Sequence, residues 1–170
     1  MKRGVIIQAS SRSNGNTFKI VSYLKEQTGF DCIDLCEYEI NHFNYDFKHA
    51  ADDFSALFKK IVQNYDVIIF ATPIYWYTMS GLLKVFLDRI SDFFFTEKKY
   101  GKLLNGKQMA TISCGSSSEI LEGFTMPFIQ TAKYLKMEYL GHLHTWTAEN
   151  ELSDKTKDNI IDFVVNQIKK

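Results

Sequence analysis

Short apolar runs alternate with amphipathic stretches along this chain, a pattern typical of βαβ units built around a parallel sheet. Five of these runs predict strands, at residues 3–8, 31–36, 66–71, 108–114 and 137–145. The first run is apolar almost throughout, as expected for a strand whose two faces are both covered by helices. The pattern therefore predicts an α/β fold with a doubly wound five-stranded parallel sheet and helices on both faces.

Helical spacing of apolar residues predicts five helices, one after each strand. The first covers about 16–28, the second begins at Asp52 or Asp53, the third begins at Ser80, and the last two cover about 118–135 and 153–168. Segment 37–50 has no clear period and is interpreted as a long connection, and 97–107 as a loop. Since no repeat or linker interrupts the alternation, we expect a single domain over residues 1–170.

Composition and charge exclude several classes of function. Lys and Arg together number 20, as do Asp and Glu, so no overall field would attract nucleic acid or an anionic membrane. No apolar run approaches the roughly 20 residues that span a bilayer. The three cysteines and four histidines lack the spacing of zinc or iron–sulfur sites, so we expect no metal site, and a cytoplasmic protein with reduced thiols.

Ligands of a doubly wound sheet bind at the carboxyl ends of the strands, near the point where the strand order reverses. This rule selects the loops after strands one, three and four, at residues 9–17, 72–80 and 114–118. The three loops are therefore the first places to look for a site.

The loop at 9–17 is rich in hydrogen-bond donors and precedes a helix N-terminus. A phosphate monoester needs many donors at short range, and hydroxyls, an amide, backbone N–H groups and one guanidinium offer them here. Neither the dinucleotide Gly-x-Gly-x-x-Gly fingerprint nor a Walker Gly-Lys-Ser/Thr is present, and the plainer alternative is a polar turn with an N-cap. The predicted phosphate-binding residues are Ser10, Ser11, Arg12, Ser13, Gly15, Asn16 and Thr17.

Three aromatic residues follow one another in the loop at 72–80. Large exposed rings outside a helix or strand usually have something to cover them, and a flat tricyclic isoalloxazine would do so. The alternative is a loop folded onto the core or into a subunit interface. The predicted ring-contacting residues are Pro73, Ile74, Tyr75, Trp76 and Tyr77.

The motif Ser10-x-Arg-x-x-Gly-Asn-Thr17 resembles the phosphate loop of the NADPH-dependent FMN reductase and flavodoxin-like oxidoreductase family, with Ala9 in place of the usual glycine. Thr72-Pro-Ile-Tyr-Trp76, followed by Ser80-Gly-x-x-Lys-x-Phe-x-Asp-Arg89, is similar to the second flavin loop and helix of that family. The resemblance covers about residues 4–145. In the family a small-residue loop after strand four borders the flavin ring, which adds Cys114, Gly115 and Ser116 to the candidates.

The resemblance implies a flavodoxin-like sheet of order 2-1-3-4-5, FMN as cofactor, and NADPH or NADH as the reductant. The implied reaction passes a hydride through flavin N5 to a small acceptor: a quinone, a nitro or azo compound, or free flavin. A one-electron carrier like flavodoxin is the rival interpretation, although the zero net charge and Arg12 weigh against it. A flavin-free binding protein on the same fold is a third.

The family generally forms dimers or tetramers, so a homodimer or homotetramer is expected, with Phe93, Phe94 and Phe95 at the interface. We expect Asp88 and Arg89 to serve helix packing, a salt bridge or a dimer contact rather than proton transfer, and Cys114 to be a buried structural thiol. His142 and His144 lie on one face of the predicted fifth strand and are expected to be structural.

Overall fold

The computed structural model describes residues 2–120, 122–146 and 151–170. Its centre is a parallel five-stranded sheet in the order β2-β1-β3-β4-β5, which confirms the predicted fold class and strand order. The strands are β1 Gly4–Gln8, β2 Asp31–Asp34, β3 Val67–Pro73, β4 Gln108–Gly115 and β5 Glu138–Trp146.

Six helices connect or follow these strands: α1 Asn16–Thr28, α2 Asp53–Asn64, α3 Gly81–Phe95, α4 Lys98–Gly101, α5 Met126–Leu135 and α6 Asp154–Phe163. Three of them begin at a residue whose side chain accepts a backbone hydrogen bond from the first turn, namely Asp52, Ser80 and Ser153. In the described part of the chain, no helix is long and apolar enough to cross a membrane.

Apolar side chains are buried on both faces of the sheet. One core contains residues of α2, α3 and α5, among them Phe54, Phe86 and Phe128. The other contains residues of α1 and α6, among them Leu24 and Phe163. Because β1 and β3 are sandwiched between the two cores, every residue of both strands is buried, as the continuous apolar runs predicted.

Several element boundaries differ from the prediction. Strand β2 ends at Asp34, because the Asp34 carboxylate accepts a hydrogen bond from the Cys36 backbone N–H and starts a 3₁₀ turn, Leu35–Glu37. The predicted loop at 97–107 contains α4 and a further 3₁₀ turn, Lys102–Leu104. Helix α5 begins at Met126 instead of 118, after a glycine at positive φ and with Pro127 in its first turn.

The prediction that Phe93 lies at a subunit interface is wrong. Phe93 is buried and stacks on Phe58, with ring centroids 4.5 Å apart. Helical periodicity turns its side chain inwards, whereas Phe94 is half-buried and Phe95 is 59% exposed.

Arg89 of helix α3 binds the long connection that precedes α2, through contacts within residues 41–52. Its buried guanidinium forms an ion pair with Asp52 and donates hydrogen bonds to the carbonyl oxygens of Asn41 (2.9 Å) and His49 (3.2 Å). Burial would raise the pKa of Asp52, but the hydrogen bonds from Arg89 and from backbone N–H groups lower it below its ordinary value. Arg89 therefore has the predicted packing role, and Asp88 forms a surface ion pair with Lys84.

Candidate functional site

The three predicted loops meet at the carboxyl end of the sheet. The hydroxyls of Ser11 and Tyr75 share a hydrogen bond of 2.8 Å, which joins the first loop to the second. The Ile74 N–H donates to the carbonyl oxygen of Cys114 at 2.9 Å, which joins the second loop to the third. Adjacent parallel strands β1, β3 and β4 thus deliver their loops to one place, as the rule for doubly wound sheets requires.

Three side chains from elsewhere in the fold hold the backbone of the first loop. Ser80 Oγ donates to the Ala9 carbonyl oxygen (2.6 Å), Cys36 Sγ to that of Ser10 (2.8 Å), and Gln8 Nε2 to that of Ser13 (3.1 Å). Each of these three contacts uses a backbone carbonyl oxygen of the loop and none of its hydroxyl or guanidinium donors.

These three residues were not among the predicted site residues. Of the three, only Gln8 gave a signal in the sequence, because it is a polar residue at the end of an otherwise apolar run. The structure shows that Gln8 is only 1% exposed, and a buried amide of this kind needs hydrogen-bond partners.

The N-terminus of α1, like those of α4 and α5, lacks the side-chain cap that α2, α3 and α6 have. Gly15 occupies its N-cap position, no side chain caps it, and its first turn carries no acidic residue. Helices α2, α3 and α6 are all capped by side-chain oxygens. The positive end of the α1 dipole therefore remains available to an anion.

The predicted residues of the first loop divide by exposure. Ser11, Arg12 and Ser13 are exposed, and Gly15 and Asn16 are half-buried. The remaining two, Ser10 and Thr17, are only 5% and 4% exposed. The exposed group therefore has side-chain donors that solvent can reach.

The aromatic residues of the second loop form a tight turn. Tyr75 and Thr78 exchange two backbone hydrogen bonds of 3.0 and 3.1 Å. Between them, Trp76 and Tyr77 have φ angles of 47° and 66°, a conformation that bulky residues seldom adopt outside strained functional segments. Trp76 is 91% exposed, so its ring is free to meet a flat ligand or a second protein surface.

A cavity of about 230 Å³ lies between the second and third loops. Its lining residues are Ile74, Tyr77, Gly115, Ser116, Ser117, Glu119, Ile120 and Phe124. A larger cavity, of about 600 Å³, lies between α3 and α5. We take the smaller cavity as the candidate ring site because it lies at the carboxyl ends of the strands.

Cys114 and Pro73 are not among the residues that line this cavity. Both are buried, and burial raises the pKa of the Cys114 thiol to about 11. Cys114 reaches the site through its carbonyl oxygen, which accepts the hydrogen bond from Ile74.

His142 and His144 both bond to one buried hydroxyl beside the third loop. Ser113 Oγ lies 2.8 Å from His142 Nε2 and 2.8 Å from His144 Nδ1. Burial and the neighbouring His144 lower the pKa of His142 to about 4, so this imidazole is neutral at pH 7. Within residues 2–120, 122–146 and 151–170, no three His, Cys, Asp or Glu side chains are grouped to hold a metal ion.

Comparison with known proteins identifies the family. The family model of the NADPH-dependent FMN reductases matches residues 2–149. The chain belongs to the NADPH-dependent FMN reductase family. YwqN of Bacillus subtilis, whose name places it among the NAD(P)H-dependent FMN-containing oxidoreductases, is 31% identical over 140 residues, which are 76% of this chain and 75% of that protein.

Solved structures share the fold at lower identity. The Trp repressor binding protein of Bacillus subtilis superposes with a TM-score of 0.76 at 21% identity, covering 95% of this chain and 97% of that one. General stress protein 14 of Treponema denticola, solved with FMN, superposes with a TM-score of 0.64 at 17% identity, covering 98% and 96%. Both confirm the flavodoxin-like fold.

As a member of this family, the protein is an NAD(P)H-dependent oxidoreductase whose cofactor is FMN. The site described above fits that cofactor. An uncapped helix N-terminus and exposed donors suit a phosphate, and an aromatic turn beside a cavity suits a flat ring.

Proposed function

We propose that this protein transfers a hydride from NADPH or NADH through N5 of bound FMN to a small acceptor, namely a quinone, a nitro or azo compound, or free flavin. The observation that carries the proposal is the meeting of the three loops, which join at Ser11–Tyr75 and Ile74–Cys114. The exposed donors of the first loop and the 230 Å³ cavity therefore lie at the same end of the sheet, the carboxyl ends of its strands, which supports the proposal.

In this proposal the first loop holds the phosphate. Ser11, Arg12 and Ser13 contribute exposed donors, and the uncapped N-terminus of α1 contributes backbone N–H groups. Ser10, Gly15, Asn16 and Thr17 complete the loop, and the tethers from Ser80, Cys36 and Gln8 keep it in one conformation. Preorganisation of this kind lowers the ordering cost of binding.

The second and third loops hold and orient the ring. Residues 73–77 supply backbone groups and aromatic surface on one side, where Ile74 and Tyr77 line the cavity, and Gly115 and Ser116 line the other side. Cys114 joins the two loops through its carbonyl oxygen, which accepts from the Ile74 N–H. The protein's part is binding, orientation and exclusion of water, so the reaction requires no side chain as acid or base. The exposed ring of Trp76 offers a surface for the nicotinamide or the acceptor.

We also propose that the protein is a homodimer or homotetramer in the cytoplasm. The support for self-association is an exposed aromatic surface that borders the 600 Å³ groove, formed by Tyr45 (77% exposed), Phe95 (59%) and Tyr134 (76%). The support for the cytoplasm is that all three cysteines are free. Sedimentation as a monomer at micromolar concentration would refute self-association.

Steady-state oxidation of NADPH and NADH by the FMN-loaded protein tests the catalytic proposal. Each nicotinamide is offered with a quinone, a nitroaromatic, an azo dye and free FMN in turn. We expect turnover with at least one acceptor. FMN-loaded protein that oxidises neither nicotinamide with any of them would refute the proposal.

A further inference from the structure

One hydrogen-bonded chain runs from strand β5 through β4 to the loop beside the cavity. Ser113 is fully buried on β4, and its Oγ bonds to Nε2 of His142 and Nδ1 of His144. The same His144 ring continues outwards, because its Nε2 lies 2.9 Å from the carbonyl oxygen of Ser117. The chain therefore ends on the backbone of residues 115–117, which line the cavity.

The chemistry of the chain determines which atom donates at each step. A carbonyl oxygen only accepts, so His144 Nε2 carries the hydrogen and donates it to Ser117. In a neutral imidazole Nδ1 then accepts, and it takes the hydroxyl hydrogen of Ser113. Ser113 Oγ in turn accepts from Nε2–H of His142, so each bond in the chain has one donor and one acceptor.

His144 also packs against the loop itself. A Cβ placed on Gly115 would lie 3.0 Å from Cε1 of His144, tighter than an ordinary contact. Glycine thus permits the imidazole to lie directly on the loop backbone. The ring holds the loop at Gly115 by packing and at Ser117 by a hydrogen bond.

We propose that His144 is a positioning residue of the flavin-ring site: it holds residues 115–117 in the conformation that receives the ring. The inference rests on the proposed FMN site and extends it to a residue behind the loop. The Ser117 carbonyl oxygen requires the Nε2–H tautomer of His144, and Ser113 and His142 complete the hydrogen-bonded chain behind it. His144 in turn holds the loop. His144 acts on ring binding and leaves the phosphate end, at Ser10–Thr17, unchanged.

The test compares two substitutions that separate the two nitrogens of the ring. In His144→Gln the amide nitrogen reaches about as far as Nε2 and keeps a donor for Ser117. In His144→Asn the amide reaches only the position of Nδ1 and loses that donor. Apoprotein of each variant is titrated with FMN and with riboflavin, which lacks the phosphate, and flavin fluorescence reports the Kd.

We expect His144→Asn to raise the Kd for FMN and for riboflavin by the same factor, about five- to tenfold, from the loss of one hydrogen bond that orders the loop. His144→Gln should stay within about twofold of wild type, because the donor is retained. Gly115→Ala, which presses on the same ring from the loop side, should reproduce the loss while circular dichroism shows a folded protein.

Three results would overturn the inference: unchanged binding of both flavins in His144→Asn, equal losses in the Asn and Gln variants, or a loss confined to FMN. The first denies the role, the second reduces it to packing, and the third moves it to the phosphate end. If the wild-type protein bound neither flavin, the proposed FMN site itself would be refuted. This outcome differs from a refutation of the His144 role alone, in which the wild type still binds both flavins.

Discussion

Arg12 carries the only full positive charge among residues 9–17. Its side chain is exposed, and it lies between two loop residues, Ser10 and Ser13, whose carbonyl oxygens are tethered from within the fold. A flexible, exposed guanidinium on a fixed backbone can pair with a phosphate without first breaking a bond of its own loop. We therefore expect Arg12 to contribute most to the discrimination between FMN and flavins without a phosphate.

Replacement Arg12→Ala should raise the Kd for FMN by about tenfold, the lower end expected for a hydrogen bond to a charged group, because the site is exposed to solvent. Riboflavin binding should not change. Fluorescence titration of both flavins measures the difference, with Lys48→Ala as the control for loss of an exposed charge. Equal effects on the two flavins would place Arg12 away from the phosphate.

Residue types alone were enough to select residues 10–17 as candidate phosphate donors and residues 75–77 as candidate ring contacts, because hydroxyl, amide, guanidinium and aromatic side chains are recognisable in the sequence. The contacts that Cys36 and Ser80 make with the first loop gave no signal in the sequence. Cys36 lies 26 residues from its partner Ser10, and Ser80 lies 71 residues from Ala9. Contacts at such separations depend on the packing of whole elements, which a pattern along the chain does not describe.

At the scale of elements, local chemistry predicted some boundaries and missed others. The caps at Asp52 and Ser80 follow from residue type and position, and both are confirmed. The predicted start of the fourth helix at about 118 is wrong, because α5 begins eight residues later, at Met126. The turn at 75–78 gave no signal, because its two left-handed positions carry Trp76 and Tyr77 where Asn-Gly would be typical.

Helix α3 depends on Arg89 for its attachment to the connection before α2. Arg89→Met leaves the Asp52 carboxylate buried without its partner, so we expect the free energy of unfolding to fall by about 3 kcal/mol. Lys84→Met removes an exposed ion pair on the same helix and should cost less than about 1 kcal/mol. Urea denaturation of both variants gives the comparison, and similar losses would contradict it.

At the scale of the whole molecule, the strand order follows from strict βα alternation and the resemblance to a known family. The sheet then determines which loops meet, so the meeting place of the three loops could be predicted before any side chain was placed. Assembly with a second chain was harder to predict. Consecutive phenylalanines gave no sign that Phe93 turns into the core while Phe95 stays exposed, since that depends on where α3 sits against α2.

Stability of the whole domain should depend on His142 in mildly acidic solution. The folded protein holds its pKa near 4, below the ordinary 6.5, so between these values the unfolded chain binds more protons. The stability that His142 contributes is present above pH 6.5 and is lost as the pH falls towards 4, a change of about 3 kcal/mol.

The difference in unfolding free energy between wild type and His142→Gln, measured by urea denaturation from pH 7 to pH 4, isolates this contribution from that of the carboxylates. As the solution is acidified, the wild type should lose about 3 kcal/mol more of its unfolding free energy than His142→Gln does. His42→Gln, on the exposed connection, is the control. Parallel curves for wild type and His142→Gln would show that His142 does not titrate abnormally.

The visible absorption spectrum tests the central claim most directly. The purified protein is loaded with FMN, desalted, and mixed anaerobically with NADPH or NADH. We predict that the flavin band near ~450 nm survives desalting and bleaches when nicotinamide is added, since FMN carries the redox chemistry. A band that survives but does not bleach would contradict the reductase function, and the loss of all flavin on desalting would contradict the FMN site.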